Sequence, residues 1–114
     1  MKTQETIEIE LIYGKLSELL HWIDVLPMVN QNLAVSLKKA YRDLLLNISL
    51  WLSFKDSNQR SPVLDRILLQ VDAMLRIVHE WKSTQKPSRR QLTMLSNLES
   101  ALTSLKEITE RSSL

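Results

Sequence analysis

Apolar residues recur at steps of three and four through four long stretches of this chain, and only three breaks interrupt them. The second stretch carries the clearest example: Leu33, Leu37, Tyr41, Leu44, Ile48 and Trp51, widened by Leu45 and Leu52. That spacing keeps apolar side chains on one face of an α-helix, whereas a half-buried strand would alternate. Turn residues point the same way. One glycine and three prolines among 114 residues leave too few chain reversals for a β-rich fold.

The breaks fall at Leu26–Asn30, at Lys55–Pro62 and at Ser83–Ser88. The first helix is expected from about Glu5 to Leu26, with a stripe of Ile9, Ile12, Leu16, Leu19, Ile23 and Leu26. Gly14 lies inside it, which implies either a neighbouring helix approaching closely or a bend. The second helix is expected from about Asn30 to Phe54. The third opens at Ser61-Pro62, a serine N-cap followed by proline at the first helical position. Its core stripe is Leu64, Ile67, Leu68, Val71, Leu75, Val78 and Trp81. The fourth opens at Pro87-Ser88, where Ser88 and Gln91 have capping-box spacing. Leu92, Leu95, Leu98, Leu102, Leu105 and Ile108 supply its core face, and the tail from Arg111 is expected to fray. Four helices of similar length on short loops predict one all-α domain over residues 1–114, an antiparallel up-down-up-down four-helix bundle.

Two stripes are left over once the inward faces are assigned. On the second helix Val35, Leu46, Leu50 and Phe54, with Lys39 among them, fall roughly opposite the core face. A lone bundle would leave them in water, so they form the expected oligomer or partner interface. On the third helix Leu69, Ala73 and Ile77 make a smaller outward stripe flanked by Arg66 and Arg76.

The net charge is +2, and residues 1–60 balance, so the basic excess lies in the second half. Between Trp81 and Leu98 come Lys82, Lys86, Arg89 and Arg90, with no acidic residue among them. Positive charge suits the end of the third helix, but it opposes the dipole at the start of the fourth. Arg89 and Arg90 therefore have no capping rationale. Repeated around a cyclic oligomer, these four cations would make a ring able to hold a phosphate backbone. Lys38 and Arg42, beside Lys39, form a second candidate patch.

Materials for catalysis are thin. Absence of cysteine excludes disulfides, thiolate metal sites and cysteine nucleophiles. Glu18-x-x-His21 has the spacing used in carboxylate di-iron bundles, but the other histidine, His79, has no glutamate three residues before it. Helical nucleotide-binding and ribonuclease domains often set arginine and histidine four to six residues apart, and Arg76 and His79 are closer than that. No Gly-rich phosphate loop or Ser–His–acid arrangement is present. Trp51 and Trp81 fall on core stripes and are expected to be buried, with Trp22 at a stripe edge. Met28, Met74 and Met94 suit gaps near the interior. No enzyme, cofactor or metal is expected. Without an apolar run of about 20 residues or a signal core, a soluble cytoplasmic protein with no membrane role is expected.

The order of features resembles a known family. The first helix ends at Leu26-Pro27; the second carries Leu33-Ala34-Val35-Ser36-Leu37-Lys38-Lys39-Ala40 and Leu44-Leu45-Leu46-Asn47-Ile48. The third reads from Leu64-Asp65-Arg66-Ile67 through Leu75-Arg76-Ile77-Val78 to Trp81-Lys82, and the fourth ends in Leu105-Lys106-Glu107-Ile108. Over nearly the whole chain this is similar to bacterial four-helix bundles that include the accessory variability determinant of diversity-generating retroelements and the ribosomal-RNA intervening-sequence proteins. The resemblance implies a barrel-like homopentamer without catalytic activity. Such an assembly would bind the element's reverse transcriptase, and RNA or DNA, to support mutagenic copying. The alternative is a helical protein–protein adaptor that binds no nucleic acid.

Overall fold

In the computed structural model the four periodic stretches are α1 (Gln4–Val25), α2 (Gln31–Ser53), α3 (Ser57–Thr84) and α4 (Arg89–Ser112). Residues 4–25, 31–54, 57–84 and 88–112 are described, with side chains for all but 22–25, 31–34, 57 and 112. Among the described residues only Phe54 and Ser88 lie outside a helix. Expectations for Trp22, Ile23, Leu26, Met28 and Leu33 fall outside the described side chains.

Each helix packs against two others: α1 on α2 and α4, α3 on α2 and α4. The diagonal pairs, α1 with α3 and α2 with α4, are not backbone neighbours among the described residues and meet only through the core. Polar links across the seams set the directions. From Asp72 to Lys82 the numbering rises along α3, while their partners on α4 fall from Lys106 to Glu99, at 3.0 and 2.8 Å. Asn47 on α2 donates to Gln70 on α3 at 2.9 Å, and Arg111 near the end of α4 meets Glu8 near the start of α1 at 3.1 Å. The result is an antiparallel up-down-up-down bundle measuring 44 × 21 × 20 Å, about the length of its longest, 28-residue helix.

The inward stripes meet along the axis. Leu37, Tyr41, Leu44, Ile48 and Trp51 of α2 are buried, and Ile9, Ile12 and Leu16 of α1 face them. From α3 come Leu64, Ile67, Val71, Met74, Val78 and Trp81, and from α4 Leu95, Leu98, Leu102, Leu105 and Ile108. Each large aliphatic side chain so removed from water contributes about 1.5–3 kcal/mol. Leu19, Leu68 and Leu75 are half-buried at the edges.

Four expectations need correction. First, α3 begins at Ser57, so Ser61 is not its N-cap and Pro62 lies inside the helix. In the turns before Pro62, Arg60 Nε donates to the Phe54 carbonyl at 2.6 Å while its guanidinium covers the Trp51 ring at 4.2 Å. That side chain ties the early turn of α3 to the end of α2, where the dipole also favours a cation. Second, Leu92 is 40% exposed rather than core. Two successive steps of three rotate it about 120° from Leu98, off the inward face. Third, the two alternatives for Gly14 narrow to one: an added Cβ would meet nothing within 4 Å, which removes the close approach of a neighbouring helix and leaves the bend. Fourth, helix α4 runs to Ser112 and the Arg111 side chain is held by Glu8, where fraying was expected.

Candidate functional site

Of the four cations expected to cluster, the fold leaves two exposed together. Lys82 is taken up by a carboxylate that the sequence does not place nearby. Its Nζ lies 2.8 Å from Glu99 of α4, at a seam where the two side chains are 27% and 31% exposed. The hydrogen bond from Lys82 holds the Glu99 carboxyl below its ordinary range, so the pair persists at neutral pH and is lost only as acid protonates Glu99. Lys86 lies outside the described residues. Arg89 and Arg90 are exposed on the first turn of α4.

The local sequence explains why α4 starts there. The Ser88 N–H donates to Gln91 Oε1 at 3.0 Å and the Gln91 N–H donates to Ser88 Oγ at 3.2 Å, a reciprocal capping box. The box satisfies exposed backbone donors without help from either arginine. Lys15 and Glu18 of α1 line the same α1–α4 groove as Arg89 and Arg90, and none of the four has an ion pair among the described residues. Lys82, Lys106 and Arg111, by contrast, each hold a carboxylate across a seam.

The second basic patch stays apart. Lys38 is half-buried and Arg42 exposed on α2, the helix diagonal to α4. Arg89 and Arg90 lie at the end of the bundle that holds the α1–α2 and α3–α4 connections, whereas Lys38 and Arg42 lie nearer the middle of α2.

The leftover stripe divides. Val35, Lys39 and Leu46 are exposed, whereas Leu50 and Phe54 are half-buried and pack against the core edge. The fold adds what periodicity on one helix cannot give. Asn47 and Gln70 bond across the α2–α3 seam, and Leu46 and Leu69 each immediately precede one partner. One residue back is a rotation of about 100° away from the core, which turns each leucine outward on its own helix at about the same level of the bundle. They are 61% and 71% exposed. Leu50 and Phe54 border the strip on the α2 side, and half-buried Ala73 and Ile77 continue it on α3. Spacing along one helix cannot relate these stripes, and their shared level follows from the antiparallel register. Ile7 and Leu11 of α1 are also exposed; the alternating pattern around them conceals an outward pair at i, i+4.

No group of three or more histidine, aspartate or glutamate side chains is placed to hold a metal among the described residues. His21 and His79 sit exposed on α1 and α3, which are diagonal, so Glu18 and His21 gain no second half-site from His79. No helix among the described residues is long and apolar enough to cross a membrane. Comparison with protein-family models, curated proteins and solved structures finds no match in any of the three.

Proposed function

We propose that this chain is a non-catalytic accessory subunit that self-associates through the α2–α3 face and serves a nucleic-acid-copying enzyme in the cytoplasm. The observation that carries the proposal is the outward exposure of Leu46 and Leu69 on the neighbouring helices α2 and α3. A monomeric bundle gains nothing from two outward leucines in water, whereas a ring of copies buries them. Half-buried Leu50 and Phe54 extend the apolar area, with Val35 and Lys39 toward the other end of the stripe. In the role suggested by its resemblance, the subunit belongs to a homopentameric accessory variability determinant that holds a reverse transcriptase and RNA or DNA during mutagenic copying.

Arg89 and Arg90 supply the polyanion-facing corner, with Lys15 further along the same groove and Lys38 and Arg42 on the diagonal helix α2. One corner is a weak site; repeated by symmetry, it gives a multivalent one whose affinity falls steeply with salt. Anisotropy of labelled RNA and DNA oligonucleotides tests this between about 50 and 200 mM salt. Binding should be lost toward the upper end, and Arg89→Gln with Arg90→Gln should weaken it about tenfold or more at the lower end. No binding at low salt would overturn the nucleic-acid part and leave a protein adaptor.

A further inference from the structure

The seam between α1 and α4 opens into a groove of about 1020 Å³. Its floor is apolar, formed by buried Ile12 and Ala101 with half-buried Leu19 and Met94. Its α4 wall is a row of exposed Thr93, Asn97, Ser100 and Ser104, at helical steps of four, three and four. From Arg89 to Ser104 the groove follows α4 for about 22 Å, the rise of fifteen helical residues.

We propose that this groove seats an amphipathic, acidic helix of a protein partner. Small side chains along the wall allow a third helix backbone to approach, and the floor accepts apolar anchors spaced i, i+3, i+4 and i+7. Charge selects the partner's sign. Among the described residues lining the groove, Lys15, Arg89 and Arg90 stand with a single carboxylate, Glu18, and none of the three cations has an ion pair with a described residue. A nucleic-acid strand fits the groove less well. It needs cations in a row and aromatic platforms for its bases. Here the long wall is uncharged, and no aromatic side chain is among the described residues lining the groove. The inference rests on the accessory-subunit reading and assigns its basic corner to the protein partner.

The test uses the full chain and a labelled synthetic helix of about fifteen residues, with leucines at i, i+3, i+4 and i+7 and glutamates at the flanks. Control peptides carry lysine in place of glutamate, or serine in place of leucine. The acidic peptide should bind and both controls should fail. Arg89→Gln with Arg90→Gln should weaken binding about fivefold, and Ser100→Trp, which fills the groove from an exposed position, should abolish it. Circular dichroism verifies that each variant is folded. Equal binding of the lysine peptide, or unchanged binding to Ser100→Trp, overturns the proposal. So does an oligonucleotide that displaces the peptide and is itself blocked by Ser100→Trp. Sedimentation of the same samples separates the two ideas: a monomer that binds the peptide sinks the assembly reading and keeps the groove, and an oligomer that does not bind sinks the groove alone.

Discussion

Replacing Tyr41 with phenylalanine removes one atom from the centre of the bundle. The Tyr41 ring is fully buried, and its hydroxyl donates to the Leu16 carbonyl of α1, the one polar link described between the cores of α1 and α2. Leu16 also faces the Leu20 N–H within its own helix, so the substitution leaves no orphaned acceptor. The loss is therefore that of a single neutral hydrogen bond, about 1 kcal/mol, or about 4 °C in Tm for a domain of this size. Removing the ring instead, as in Tyr41→Ala, should cost about 3–5 kcal/mol through the cavity.

The pH dependence sharpens the test. Burial raises the Tyr41 phenol well above its ordinary 10.0. Because the folded value exceeds the unfolded one, this group's contribution is intact below pH 10 and is lost as pH rises beyond it. The slope from one group reaches about 1.4 kcal/mol per pH unit. Urea unfolding followed by circular dichroism, at steps from neutral to alkaline pH, should show wild type ahead of Tyr41→Phe at neutrality. The gap should then close above pH 10, because only the wild type has this proton to lose. A gap that stays constant into the alkaline range refutes the burial of the phenol, and a more stable variant at neutral pH refutes the hydrogen bond.

Other outcomes follow from single positions. Gly14→Ala should stabilise the fold by about 0.5–1 kcal/mol, since the position is mid-helix, exposed and open around the new Cβ; thermal unfolding measures it. Arg60→Ala should cost about 1–2 kcal/mol in urea unfolding and shift the emission of Trp51, whose ring it covers. Ser88→Ala should cost about 1 kcal/mol and speed amide exchange at Gln91, whose N–H it leaves without its cap.

The architecture was legible because the inward residues obey one period. Every described core position on α2, from Leu37 to Trp51, lay on the stripe read from spacing. Ser88 and Gln91 were legible for a related reason: a capping box is local, so its geometry follows from spacing along one helix. What failed was non-local or cumulative. Pro62 looked like a helix start on local signals, whereas the contacts of Arg60 in the turns before it reach back to the end of a different helix. Leu92 drifted off the core face through repeated steps of three. The basic group lost Lys82 because Glu99 comes from across a seam, 17 positions away in sequence. The apolar face was half visible. Leu46 and Leu69 each stood out on their own helix, but only the register marked by Asn47 and Gln70 sets them at one level of neighbouring helices.

Self-association through that face is the central claim, and sedimentation equilibrium of the wild type beside the Leu46→Glu, Leu69→Glu double variant tests it directly. Both leucines are largely in water in the isolated chain, so the charges should leave the bundle's own unfolding nearly unchanged. The wild type should sediment at a multiple of 13.3 kDa and the double variant at 13.3 kDa with the same helical signal. A wild type already at 13.3 kDa, or a double variant that keeps the wild-type mass, would contradict it.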